Sequence, residues 1–311
     1  MDNTFSTVRQ IKESNGNMYV RLAPNPWWAN IIIYSLLFIG GIITLIPLWT
    51  VLMRSVSPSH IIVQYPILIW PKEFTFQAYI YILKTSTLIR SFGITVYITV
   101  VGTALSMICT ILAAYGLSKT NLPGNRILMN LVVIAMLFHA GIIPTYLVVR
   151  QLGLIDSLWA LILPVLISPF NLILMRNYFW SIPAEMEDSA KIDGASVFRT
   201  LWSILIPLSL PAIATISLFY AVAQWNNFFT ALFYINDNTK WPLQLLLRSI
   251  IMDNSMRGMG SLQDTIEVRR IVNPENIRAA VIVFVTVPIL FVYPFIQKYF
   301  VQGIMIGAIK G

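Results

Sequence analysis

The stretch Ser181-Ile-Pro-Ala-Glu-Met-Glu-Asp-Ser-Ala-Lys-Ile-Asp-Gly-Ala-Ser196 interrupts a chain that is otherwise mostly apolar. Pro183 suits a first helical turn, where its fixed φ is preorganised and its missing N–H has no partner to lose. Glu185, Glu187 and Asp188 follow it, where carboxylates favour the positive end of a helix dipole. Gly194 predicts the end of that helix. Phe198, Leu201, Trp202 and Leu205 then recur at i, i+3, i+4 and i+7, which predicts one apolar face on a second short helix. Pro207 and Pro211 mark the return to apolar sequence. Residues 181–203 thus read as two short helices joined at a glycine, with Asp188, Lys191, Asp193 and Arg199 on the polar side. Two uses fit this pattern: an amphipathic element resting on lipid headgroups, or a docking element fitted to a groove on a soluble partner.

On either side the composition is that of a membrane protein. Of 311 residues, 57% are hydrophobic and only 11% charged, where a soluble domain carries about 25% charged. The mean hydropathy is +0.73. Six stretches are long enough to cross a hydrocarbon core, which takes about 20 helical residues. They are 30–53, 92–117, 127–149, 157–175, 204–235 and 279–297, and none holds Asp, Glu, Lys or Arg. The fifth exceeds what a bilayer needs, so part of it is expected to tilt or leave the core. Residues 61–70 are apolar but short and hold Pro66; they read as an interfacial or extracytoplasmic element. Residues 1–29 are polar and lack the pattern of a cleaved signal peptide. Prolines within the spans (Pro47, Pro144, Pro164, Pro169, Pro211, Pro288 and Pro294) predict kinks, either structural or serving as hinges. Six spans place both termini on one side. Lys and Arg divide almost evenly between the two sides, so the positive-inside rule does not choose which.

The spans are equally informative for what they lack. Ion-driven carriers generally hold ionisable groups within the membrane; here only His139 could titrate there. A single cysteine, Cys109, and two histidines, His60 and His139, leave no basis for a disulfide, a cysteine-built metal site or redox ligation. No G-x-x-x-x-G-K-[ST] phosphate loop is present. The net charge of +8 reads as loops facing anionic lipid rather than nucleic acid. Such a chain is a passive pore, or one subunit of an assembly that a partner powers.

The run Glu185–Ala195, followed by Ile206-Pro-Leu-Ser-Leu-Pro211, resembles the cytoplasmic loop of permease subunits of binding-protein-dependent ABC importers. That loop reads Glu-Ala-Ala, three residues, Gly, then about nine residues and Ile-x-Leu-Pro. Here Asp188-Ser189-Ala190 stands in the first place, Gly194 in that of the glycine, and Ile204-Leu205-Ile206-Pro207 closes the motif. Asp for Glu keeps the charge with a shorter reach. The form Ile192-Asp-Gly-Ala-Ser196 is similar to the carbohydrate-uptake branch. Further resemblance, to its complex-oligosaccharide sub-branch, lies in Gly141-Ile-Ile-Pro-Thr-Tyr146, Leu158-Trp-Ala-Leu-Ile-Leu-Pro164, Phe219-Tyr-Ala-Val-Ala-Gln-Trp-Asn226 and Gly303-Ile-Met-Ile-Gly-Ala-Ile-Lys-Gly311.

The resemblance implies an all-α integral membrane protein with the six-helix type I importer permease fold and both termini cytoplasmic. It divides the chain into a cytoplasmic segment 1–29, a permease domain 30–303 and a cytoplasmic tail 304–311. It implies a second homologous permease subunit, two copies of an ATPase subunit and an extracytoplasmic sugar-binding protein. The chain itself holds no cofactor; ATP and Mg belong to the ATPase. Loop 181–203 becomes the coupling element, with Glu187, Asp188, Ser189, Ala190, Asp193, Gly194, Phe198 and Arg199 as its contact residues. Phe198 and Trp202 would anchor it, either in the ATPase groove or against this subunit's own core.

A sugar path needs polar groups for hydroxyls and aromatic faces for stacking. Tyr220, Gln224 and Asn227 recur on one helix face, Trp225 and Asn226 lie beside them, and Asn171 and His139 are further candidates. The same side chains could serve helix–helix hydrogen bonding instead. Outer loop 236–278 carries Arg248, Arg257, Arg269 and Arg270; by the resemblance it reaches the binding protein, with Arg257, Arg269 and Arg270 as contacts. These arginines would also attract an acidic oligosaccharide such as a pectin or alginate fragment. Two other classes remain as alternatives: a self-sufficient carrier or channel for sugars, and a membrane enzyme acting on lipid-linked sugars.

Overall fold

The computed structural model describes residues 26–65, 68–119, 121–252 and 274–308, and every regular element among them is helical. The chain falls into two compact units, residues 1–50 and 51–311. The first helix, α1 (Trp27–Ser55), carries Pro47 and exposes its apolar side chains along most of its length. Thr44 donates to the carbonyls of Gly40 and Gly41, and Thr50 to that of Pro47, so both threonine hydroxyls of this apolar run are satisfied locally.

Short helices α2 (Ser59–Gln64) and α3 (Gln77–Lys84) lead to α4 (Ser86–Ser118), the longest straight element of the second unit. At about 1.5 Å per residue it exceeds a hydrocarbon core of about 30 Å. Its buried face is built largely from small residues: Ser91, Thr95, Gly102, Ser106, Thr110 and Ala114. Small side chains let neighbouring backbones approach closely where lipid supplies no hydrophobic drive between helices.

The next three expected spans are broken. Helices α5 (Asn125–Leu137) and α6 (Ile142–Gln151) meet at 114°. Gly141 makes that corner possible, with φ +80° and ψ 177°, a region essentially closed to other residues. Helix α7 (Trp159–Ile162), a 3₁₀ turn over Leu163–Val165 and α8 (Pro169–Ser181) bend by 52°. Pro164 lies in that turn, and Ser168 caps α8 by accepting the Asn171 N–H. After α9 (Ala184–Ile192) and α10 (Val197–Thr200), a π turn over Leu201–Leu205 and α11 (Ile206–Leu208) precede an 83° bend into α12 (Leu210–Trp225). Pro207 and Pro211 cannot donate backbone N–H groups, which accounts for both the widened turn and the corner. Within the expected 204–235 stretch the continuous helix after the corner is Leu210–Trp225, and α13 (Phe229–Tyr234) follows as a separate short helix. Helix α14 (Leu243–Met252) and the long α15 (Pro274–Ala308) complete the unit, and α15 contains the sixth expected stretch. Helices α1 and α4 are each unbroken, long and apolar enough to span singly, and each bent pair adds one if counted as a unit.

Helix α4 is the common wall. It packs with α8 and α12 around Met175, Leu205 and Ile216, with α3, α14 and α15 around Leu88, Leu243 and Ile277, and with α7 and α13 through Ile98.

Candidate coupling loop and substrate cleft

The first site is the loop singled out above. Helix α9 ends in a Schellman arrangement: Ala195 N–H donates to the Ala190 carbonyl at 2.9 Å and Gly194 N–H to that of Lys191 at 3.0 Å. Gly194 adopts φ +75°, as this cap requires. Ser196 then caps α10, accepting the Arg199 N–H at 3.3 Å. Two helices joined at a glycine are thus present as expected.

The apolar face is not one face. Leu201 and Leu205 are buried, whereas Phe198 is 67% and Trp202 58% exposed. On a helix Phe198 and Trp202 form one row and Leu201 and Leu205 another, about 60° apart, and the boundary between the bundle and the outside runs between the two rows. Of the two anchoring options for the aromatics, packing in this subunit's own core is not what the structure shows. Ile192 and Val197 are exposed beside them in sequence.

The charges divide too. Glu187 turns inward, paired with Lys119 at the end of α4, whose ammonium also lies 4.5 Å from the Tyr115 ring centroid. Asp188 stays outside and accepts from Lys191 at 2.9 Å; that hydrogen bond raises the Lys191 pKa. Ala190 is buried; Ser189, Asp193 and Arg199 are exposed. Lys119 was not legible as a partner, standing 68 residues from Glu187. The end of α4 is held further by Arg176 and Asn125, both donating to the Leu117 carbonyl.

The second site is a cleft of about 520 Å³, within the range of ligand pockets, about 300–1,000 Å³. The start of α8, the end of α12 and α13 enclose it, and Asn171, Tyr220, Gln224, Asn226 and Asn227 all line it. Phe170, Phe219, Phe228 and Phe229 supply apolar walls. The polar side chains form a chain of contacts. Asn227 Nδ2 donates to Gln224 Oε1 at 3.4 Å, and Thr230 donates to Asn227 Oδ1. Asn226 Oδ1 accepts from Gln244 at 3.1 Å. The Tyr220 hydroxyl is already engaged, accepting the Ser168 N–H at 3.0 Å and sharing a hydrogen bond with Thr110 at 2.8 Å. It holds the bend before α8 rather than offering a free group. Asn171 is buried, and among the described residues nothing hydrogen-bonds its side-chain amide.

Two expected members stand apart. Trp225 turns to the opposite side of α12, edge-on to Phe92 at 6.1 Å, beside an apolar groove lined by Thr99, Val222 and Pro288. One residue along a helix is a rotation of about 100°, so Trp225 cannot share the Gln224 face. His139 sits exposed in the non-helical corner between α5 and α6, away from the cleft lining. Arg257, Arg269 and Arg270 lie outside the described residues. Among those described, no three of His, Cys, Asp and Glu cluster to hold a metal ion.

A multi-helix membrane unit with a capped loop at its surface and a polar cleft inside it fits a transport subunit. Residues 106–306 match the binding-protein-dependent transport system inner membrane component, and the chain belongs to that family. Protein LplC of Bacillus subtilis (strain 168) is 48% identical over 280 residues, covering 89% of this chain and 94% of the relative. The polygalacturonan/rhamnogalacturonan transport system permease protein YtcP of the same organism is 46% identical over 287 residues, 91% and 98% of the two chains. Among solved structures, a chain of a bacterial ABC transporter involved in the import of the acidic polysaccharide alginate matches with TM-score 0.83 and 33% identity, over 89% of this chain and 98% of that one. The protein is therefore a multi-pass membrane subunit of a sugar ABC importer and not an enzyme. Membership implies ATPase and substrate-binding-protein partners.

Proposed function

We propose that this chain is a six-span permease subunit with cytoplasmic termini that passes oligosaccharide or polysaccharide fragments inward by alternating access. Two copies of an ATPase, holding ATP and Mg, drive it through loop 181–203. A second homologous permease completes the translocation path, and an extracytoplasmic binding protein delivers the sugar to the side carrying loop 236–278, with Arg257, Arg269 and Arg270 in contact. Asn171, Gln224, Asn226 and Asn227 line the route. Acidic oligosaccharides are the substrate class, supported by the polygalacturonan and alginate named for two relatives.

One observation carries the coupling assignment. Loop 181–203 is fastened to the bundle by Glu187 while Phe198 and Trp202 face outward across a capped glycine turn. A fixed loop with exposed aromatics transmits a push; a floppy one does not. The test is co-purification from native membrane, with mass spectrometry, of wild type and Gly194→Arg. A non-glycine residue at φ +75° costs about 1–3 kcal/mol of backbone strain, and the bulky side chain obstructs docking. Wild type is expected to bring down an ATPase and a second permease, and the variant to lose the ATPase alone. A wild-type chain that purifies alone and moves sugar in liposomes without ATP would overturn the reading in favour of a self-sufficient carrier.

A further inference from the structure

Helix α14 is fixed against the bundle by one face. Leu243, Leu246 and Ile250 are buried with α3, α4 and α15, and the Leu243 N–H donates to Thr95 Oγ1 at 2.7 Å. Gln244 and Arg248, one turn apart, lie off that face. Both reach residues that line the cleft. Gln244 donates to Asn226, and the Arg248 guanidinium lies 4.8 Å from the Phe228 ring centroid. Arg248 is exposed, and among the described residues no carboxylate pairs with it.

We propose that Arg248 reads the substrate's carboxylates at the rim of the cleft, favouring oligosaccharides of uronic-acid units over neutral chains of equal length. The inference rests on the cleft being the sugar path. A guanidinium laid against an aromatic ring is held in orientation through one face. Its N–H fork stays available at the edge, where it matches a carboxylate in two parallel hydrogen bonds. Helix α14, anchored by its leucines, holds that fork at a set position. The charge also draws anionic sugar toward the opening, an effect that salt screens beyond about 10 Å at 0.1 M.

The experiment measures binding of hexagalacturonate and of its fully methyl-esterified counterpart to the purified importer complex, without binding protein. The readout is the ratio of the two affinities. Wild type is expected to favour the acid, and 0.5 M salt to shrink the preference. Arg248→Gln should lower the ratio about tenfold, the scale of one charge-assisted bidentate contact. Arg248→Lys, which keeps the charge and loses the fork, should fall between. A wild-type ratio indifferent to salt, a complex that binds neither sugar, or an Arg248→Gln complex with the wild-type ratio overturns the proposal. That last case includes equal loss of both sugars, the mark of a guanidinium that merely packs on Phe228. Asn171→Ala examines the cleft separately: it should weaken both sugars together, and no change in either would remove the cleft as the path.

Discussion

Gly102 of α4 faces Gln224 of α12 so closely that a Cβ there would stand 2.9 Å from Gln224 Nε2 and 3.1 Å from its Cδ. Gln224 is buried and lines the cleft, so its amide can yield mainly in that direction. Alanine would raise helix propensity by about 0.5–1 kcal/mol over glycine, offsetting part of the steric cost. Gly102→Ala is therefore expected to leave the melting temperature of the complex nearly unchanged and to weaken oligosaccharide binding several-fold. On the proposed path, Gln224→Ala is itself expected to weaken binding. Adding Gly102→Ala to it should cost nothing further, because the clashing amide is gone. Equal losses with and without Gln224 would show that Gly102 acts through helix packing instead.

Between elements, polar ties join the turns alongside apolar packing. Asp156 is one such tie. It adopts φ +62°, and its carboxylate accepts the N–H groups of Asn236 at 2.6 Å and Asp237 at 2.9 Å, joining the turn after α6 to the turn after α13. Lys240 donates to its carbonyl at 2.9 Å. The Asp237 and Asn236 N–H bonds lower the Asp156 pKa below 3.8. A depressed carboxylate stabilises the fold above its unfolded pKa, and that contribution fades as pH falls through the lower folded value. Asp156→Ala is expected to speed amide exchange at Asn236 and Asp237 several-fold at pH 7. The gap between variant and wild type should close as pH drops below 3.8; a gap that persists in acid would mean that backbone strain, not the carboxylate, holds the turn. Such ties are hard to read from sequence. The lengths of α1 and α4 follow from their apolar runs, and the glycine cap at Gly194 from its place after an acidic first turn. Pro207 and Pro211 announce the corner before α12. The 114° corner at Phe138–Gly141 is signalled by Gly141 and by Pro144 in the first turn of α6. The partnership of Glu187 with Lys119 has no local signal at all, and the burial of Leu201 with Phe198 left outside depends on tertiary packing. For the cleft, the spacing of Tyr220, Gln224 and Asn227 was enough to find the face, whereas Gln244 and Arg248 come from a helix hidden in a polar loop.

Across the whole second unit these ties bear on topology. With six spans, the segments after α4 and after α8 fall on one side, and Lys119 with Glu187 joins them. The segments after α1, after α6 and after α13 fall on the other. There Asp156 reaches Asn236, Arg54 reaches Glu275 at 3.3 Å, and Asn276 donates to the carbonyls of Arg54 and Ser57. Each tie connects segments that alternation puts on the same face, which an odd number of crossings between them would not allow. These ties fit alternating crossings between α4 and α13 and leave their direction open, because Lys and Arg are balanced between the two sides. On the proposed docking of loop 181–203 with an ATPase, Ser189 is expected on the cytoplasmic side. With Cys109 replaced by Ser, single cysteines at Ser189 and Thr239, both exposed, report the two faces. A membrane-impermeant maleimide applied to intact cells should label Thr239→Cys and spare Ser189→Cys until the membrane is opened. The reverse pattern would keep the six spans and remove the ATPase from the loop. Labelling of both from outside would break the alternation itself, because the Lys119–Glu187 tie and the Asp156–Asn236 tie would then share a face.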